Sequence, residues 1–142
     1  MVDAAFTVVK PMNHSNDEGL PGGGRQWGAL RHMEWASSTA GNITIGCPRG
    51  RVDEETWEVF LAQMTETIAV AGDAGNRFVL DLSELDYMSS RGLRALTIAK
   101  READARSISM TLARPNDRMR EILAISRYDK IFPVTAAIDA VG

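Results

Sequence analysis

Apolar residues recur with two different periods along this chain, and the change from one to the other marks out its elements. From Met33-Glu34-Trp35 the pattern alternates, as in an edge strand. Gly41-Asn42 then offers a tight turn, and Ile43, Ile45 and Cys47 share one face of a second strand. After Pro48-Arg49-Gly50 the period lengthens. Trp57, Phe60, Leu61, Met64 and Ile68 fall at i, i+3, i+4, i+7 and i+11, the buried stripe of a helix that stops near Gly72. Asp53, Glu54 and Glu55 are expected in its first turn, where the macrodipole favours acids. Residues 78–82 form a nearly unbroken apolar run, of the kind covered on both faces in a parallel sheet.

A short acidic loop follows and ends in Ser89-Ser90, either of which can cap a second helix running to about Arg106. Leu93, Leu96, Ala99 and Ala103 make its buried stripe, and Ile98 falls on the opposite side among Arg91, Arg94 and Arg101. Residues 107–113 alternate again. Asn116 caps a third helix with the stripe Met119, Ile122 and Leu123, which Tyr128-Asp129 ends. Residues 131–134 read as a short terminal strand and residues 135–140 as a last helical turn or two.

Strands alternating with single helices imply crossover connections, hence an α/β fold with a mainly parallel central sheet and an antiparallel edge hairpin. Residues 13–28 are rich in Gly, Asn and Pro without either period, which reads as a flexible segment. The expected division is therefore a flexible N-terminal extension over 1–30 and one folded domain over 31–142. Residues 2–9 suit a short strand or a helix equally. Gly22, Gly23 and Gly24 do not read as a phosphate loop, because no strand precedes them and no Lys-Ser/Thr follows.

Composition narrows the function classes. The 142 residues are 44% apolar, enough for one core. A net charge of -3 provides no basic field for nucleic acid, and the basic residues gather only locally at Arg91, Arg94 and Arg101. No apolar run approaches the roughly 18 residues of a membrane span, and Asp3 sits where a signal peptide wants positive charge. A cytoplasmic protein without membrane insertion is expected. The single cysteine, Cys47, excludes an internal disulfide framework and reads as a buried strand thiol. His14 and His32 have no metal-ligand or triad company, so no metal, no cofactor and no catalytic residues are expected.

The chemistry concentrates in the stretch RFVLDLSELDYMSSRGLRALTIAK, Arg77 to Lys100. An apolar strand leads through Asp81 and an acidic loop containing Asp86 to paired serines at a helix start. Unpaired N–H groups and a partial positive charge there tolerate a phosphate. Asp81 and Asp86 bracket the loop and are suited to accepting its N–H groups or positioning the serine.

This arrangement resembles the phosphorylation loop of the STAS family, the sulfate transporter and anti-sigma factor antagonist domains. GRVDEETWEVFLAQM is similar to the family's entry into its first helix. VLDLSELDYMSSRGLRAL is similar to its core signature, and RPNDRMREILAISRYDKIFPVTAAIDA to its C-terminal third. The resemblance spans roughly residues 32–140. It implies an anti-sigma factor antagonist that binds an anti-sigma factor serine kinase when unphosphorylated. Phosphorylation of a loop serine releases it, and a cognate phosphatase restores it. Counting back two places from Gly92-Leu93, the resemblance puts the phosphoacceptor at Ser90, with Ser89 as the alternative. Ser89 stands where the family often has Asp, and Arg91 where it usually has a small residue. Ser89, Ser90, Arg91, Arg94 and Ile98 are the expected partner-binding residues, with Asp81, Asp86 and Gly92 supporting the loop. Two other readings remain: a constitutive STAS scaffold, as in a stressosome or a lipid-transport complex, and a small-molecule or nucleotide sensor.

Overall fold

The computed structural model describes residues 7–9 and 33–138. The readings of residues 13–28, of the three glycines and of both histidines lie outside the described residues. The described elements run β1 (Thr7–Val9), β2 (Met33–Ala40), β3 (Ile43–Val52), α1 (Trp57–Ala74), β4 (Arg77–Asp81), β5 (Leu85–Met88), α2 (Ser90–Ala105), β6 (Met110–Ala113), α3 (Asp117–Ser126), a 3-10 turn (Tyr128–Lys130) and β7 (Val134–Thr135). The strands form one sheet ordered β1-β2-β3-β4-β6-β7, with β5 also paired to β3. Pairs β1–β2 and β2–β3 are antiparallel, and β3–β4, β3–β5, β4–β6 and β6–β7 are parallel. This is the expected α/β architecture, and its crossovers are the helices that the 3.6-residue period marked.

Five local expectations need correction. β2 is not an edge strand, because Thr7–Val9 pairs outside it. β3 does not stop before Pro48-Arg49-Gly50 but runs on to Val52. It pairs with β4 as far as Gly46 and with β5 from Gly50, so Pro48 falls in the gap between the two, where one flank has no ladder to satisfy. The acidic loop is largely a strand, β5, separated from β4 by a turn at Ser83 and Glu84. Finally, Asp53, Glu54 and Glu55 lie in the turn before α1 and not in its first turn, and residues 135–138 are not helical. Thr56 closes that turn: its hydroxyl donates to the Arg51 carbonyl (2.8 Å) and accepts from Asp53 N–H (3.0 Å).

The period-2 alternation of the strands divides the interior. Phe78, Leu80 and Leu82 face the main cluster with Phe60, Met64 and Ile68 of α1, Leu96 and Ala99 of α2, and Met119 and Leu123 of α3. Val79 faces the other way, into a smaller cluster with Ile43 and Ala113. The helical stripes are broadly those the sequence marks, although Trp57, Leu61 and Leu93 are only half-buried. Gly75 ends α1 in the left-handed region (φ 73°), where its N–H caps the Gly72 carbonyl.

Candidate functional site

The start of α2 is built from the ends of three elements. β5 delivers the chain to Ser89, whose N–H donates to the Val52 carbonyl at the end of β3 (2.8 Å). Ser89 is extended (φ -83°, ψ 179°), and its Oγ accepts from the N–H groups of Arg91 (3.2 Å) and Gly92 (3.4 Å). It is the N-cap. Ser90 begins the helix, is exposed, and its hydroxyl has no hydrogen-bond partner among the described residues. The two adjacent serines therefore hold different positions, one committed to the backbone and one free. Gly92 makes the junction possible: a Cβ there would lie 2.5 Å from Met88 Cγ and 2.7 Å from Val52 Cγ1. No side chain fits while α2 starts this close to the strand ends.

Arg91 turns toward the beginning of α1. Its Nε is 3.1 Å from Glu54 Oε1, and its guanidinium lies 5.5 Å from the centre of the Trp57 ring. Arg94, Ile98 and Arg101 follow Ser90 at +4, +8 and +11, one face of the helix. With Trp57 and Tyr128 at the sides they line a surface depression of about 920 Å³. Ile98 is half-buried there and not the isolated exposed residue its wheel position suggests. Tyr128 is fixed by a 2.9 Å hydrogen bond between its hydroxyl and that of Thr97. Lys100 pairs with Asp104 (3.0 Å) and Arg91 with Glu54, whereas Arg94 and Arg101 have no acidic partner among the described residues. The depression thus combines an apolar floor, two aromatic walls, two unpaired cations and a free hydroxyl.

Ser89, Ser90, Arg91, Gly92, Arg94 and Ile98 are brought together, but the two aspartates are not part of this surface. Asp81 shares a strand face with Val79 and lies toward the second cluster, buried at 5% exposure. Its carboxylate takes a two-point contact from Arg114 (Nη2–Oδ2 2.8 Å, Nε–Oδ1 3.3 Å) and a bond from Ser83 N–H (3.0 Å). It supports the β4–β5 turn from the sheet face away from Ser90. The Asp81 carboxylate in turn raises the Arg114 pKa through its hydrogen bond and charge. Asp86 is exposed on β5, and its side chain makes no hydrogen bond or ion pair among the described residues. A cavity of about 500 Å³ beside Asp81 includes Cys47, Ile45 and Ile138. Burial there, with the charges of Asp81 and Glu84, pushes the Cys47 thiol up to about 11. Trp57, Glu54 and Tyr128 were not legible as site residues. Trp57 reads as core by its helical spacing, and Tyr128 comes from 38 positions beyond Ser90 with no local signal joining them.

Comparison with known proteins adds independent findings. The family model of the STAS domain matches residues 36–141. BtrV of Bordetella bronchiseptica, named as an anti-sigma factor antagonist, is 33% identical over 99 residues, 69% of this chain and 82% of that protein. Among solved structures, an anti-sigma factor antagonist from Mycobacterium paratuberculosis superposes with a TM-score of 0.65 at 17% identity, over 75% of this chain and 88% of that one. SpoIIAA, an anti-sigma factor antagonist in its unphosphorylated form, gives 0.59 at 17% identity over 72% and 88%. The phosphorylated form of the Bacillus protein gives 0.53 at 18% identity over 72% and 91%. At these identities the structural likeness establishes the fold.

Proposed function

This chain belongs to the STAS domain family, and on that premise we propose that it is an anti-sigma factor antagonist working by partner switching. It binds an anti-sigma factor serine kinase through the depression on α2 while Ser90 is unmodified, which leaves the sigma factor free for transcription. The kinase then moves the γ-phosphate of ATP to Ser90 Oγ: the O–P bond forms, ADP leaves and the hydroxyl proton is lost. A cognate phosphatase reverses the modification by hydrolysis. The protein is a substrate and a binding module, and it performs no catalysis itself.

The observation that carries this reading is the division of labour between the two serines. Ser89 Oγ already accepts from two backbone N–H groups, and Ser90, at the family's acceptor position, presents a free hydroxyl beside the depression. A phosphate at the first helical residue meets a favourable macrodipole, so the fold should tolerate it. A partner covering Ser90 would have to desolvate close to two added negative charges, so the complex should not. Among the described residues no helix is long and apolar enough to cross a membrane. The BtrV name and the phosphorylated SpoIIAA structure support the same reading by analogy.

The test is incubation with the purified kinase and ATP, followed by fragment mass spectrometry. The expected result is one phosphate on Ser90, lost in Ser90→Ala and retained in Ser89→Ala. Phosphate on Ser89 alone, or none on either serine, overturns the assignment.

A further inference from the structure

We infer that Arg94 registers the modification state of Ser90: it serves an acidic group of the partner while Ser90 carries a hydroxyl, and is drawn into a pair with the phosphate once Ser90 is modified. The inference rests on the proposed function and goes further by naming the residue through which the charge acts, and the partner chemistry it implies.

Three observations select Arg94. The first is position. Residues four apart on a helix are surface neighbours, with Cβ atoms about 5–6 Å apart, so Arg94 is the cation of α2 that reaches over Ser90. Arg101 shares the face but stands eleven residues on, about 16 Å along the axis. The second is availability. Arg91 is adjacent in sequence, yet it points toward α1, with Glu54 at 3.1 Å and the Trp57 ring beneath it. Lys100 is paired to Asp104 at 3.0 Å. Arg94 has no acidic partner among the described residues and is exposed. The third is the surroundings. Arg94 lines the same depression as Ser90, Ile98 and Arg101, and Glu54, which reaches the start of α2, is already engaged by Arg91.

These features give Arg94 two alternative anions. In the unmodified chain Arg94 and Arg101 stand seven residues apart, about 10 Å along the helix, on either side of Ile98. That pattern suits a partner segment with two carboxylates bracketing an apolar side chain, the acids supplying complementarity and the apolar residue filling the hollow. A phosphoserine at 90 presents a dianion that Arg guanidinium binds in a forked, charge-assisted geometry. Intramolecular capture of Arg94 then removes one cation from the partner's footprint while the phosphate adds repulsion. Modification thus acts twice on the complex through one local pair.

Phosphoserine introduced at position 90 by genetic encoding isolates this step from any kinase. The probe is the phosphate itself, titrated by phosphorus NMR. With Arg94 present, the second ionisation should fall about half a pH unit below that of the same phosphoprotein carrying Arg94→Gln. Arg101→Gln should leave it unmoved, and Arg94→Lys should restore part of the shift. Equal midpoints with and without Arg94 overturn the pairing. Against the purified kinase, Arg94→Gln should weaken the unmodified chain about tenfold, and unchanged affinity overturns the partner half. A wild-type chain that neither binds the kinase nor is modified by it would instead sink the proposed function, while the phosphorus titration would still decide the pairing.

Discussion

Arg114, just beyond the end of β6, and Arg94, in the second turn of α2, are both exposed arginines, yet their surroundings treat them in opposite ways. Arg114 is held by two contacts to a nearly buried carboxylate, and it holds a left-handed backbone (φ 54°) to do so. Its partner, Asp81, also anchors the turn at Ser83, so all three groups are satisfied within the chain. Among the described residues Arg94 has no acidic partner, and Ser90, four residues before it on the helix, has a hydroxyl with no hydrogen-bond partner. An ion pair closed on itself contributes to the fold and offers little to a partner. An unpaired cation beside a free hydroxyl contributes little to the fold and is available for recognition. Removing groups from the first region should therefore cost stability and spare binding, and the second region should behave in reverse.

Arg114→Ala should have the largest effect on stability. It leaves the buried Asp81 carboxylate with the Ser83 N–H alone. The loss should be about 2–3 kcal/mol, below that of a fully buried pair because Arg114 is half in solvent. Urea denaturation measures this, and kinase affinity should stay unchanged. If affinity falls while stability holds, the two regions are not separate. Gly92→Ala should cost about 1–3 kcal/mol, because the new Cβ collides with Val52 and Met88. It should weaken binding as well, since it displaces the start of α2, and it marks the one point where the two properties are joined. Ser89→Ala removes the cap and should cost about 1 kcal/mol, whereas Ser90→Ala should stay within about 0.5 kcal/mol. Equal losses from the two substitutions would erase the distinction between the serines.

An effect confined to alkaline pH concerns Cys47. Its folded pKa of about 11 lies above that of the unfolded thiol, through burial and the acids Asp81 and Glu84. The stabilising contribution is full below the unfolded value and is lost as pH rises through the folded one, so stability should decline between about pH 9 and 11. Alkylation by iodoacetamide at pH 8 should be much slower in the folded chain than in urea. Equal rates would show the thiol to be open to solvent.

Much of this contrast was legible in the sequence, but unevenly. The three described helices, most of their stripes, the Asn116 cap and the parallel core followed from periods and end signals, because these are local, whereas the start of α1 was misplaced and the cap of α2 was left open between Ser89 and Ser90. The position of Ser90 relative to Gly92-Leu93 was legible too, through the resemblance to the STAS family. β5 was not, because its short segment pairs with an extension of β3 that Pro48 and Gly50 disguise as a loop. The placement of Asp81 was half legible. Alternation puts it on the face opposite Leu80, but which face carries the helices is decided by tertiary packing. Loop position left open whether it accepts the loop's N–H groups, as it does at Ser83, or positions the serine. Trp57 and Tyr128 reach the depression from 33 positions before and 38 positions beyond Ser90, and no pattern in a single sequence ties such positions together.

The most direct measurement is a calorimetric titration of Ser90→Asp against the purified anti-sigma factor kinase, paired with a denaturant curve for the same variant. A carboxylate at the first residue of α2 is mildly favourable for the helix, about 0.3–1 kcal/mol, so the unfolding curve should stay close to wild type. At the interface the same charge must be desolvated and draws Arg94 away from the partner, which should cost more than about 1.4 kcal/mol, a loss beyond tenfold in affinity. Weakened binding with unchanged stability is the result the switch requires. Binding as tight as wild type would instead make the surface a constitutive contact, and unfolding of the variant would make Ser90 a structural residue.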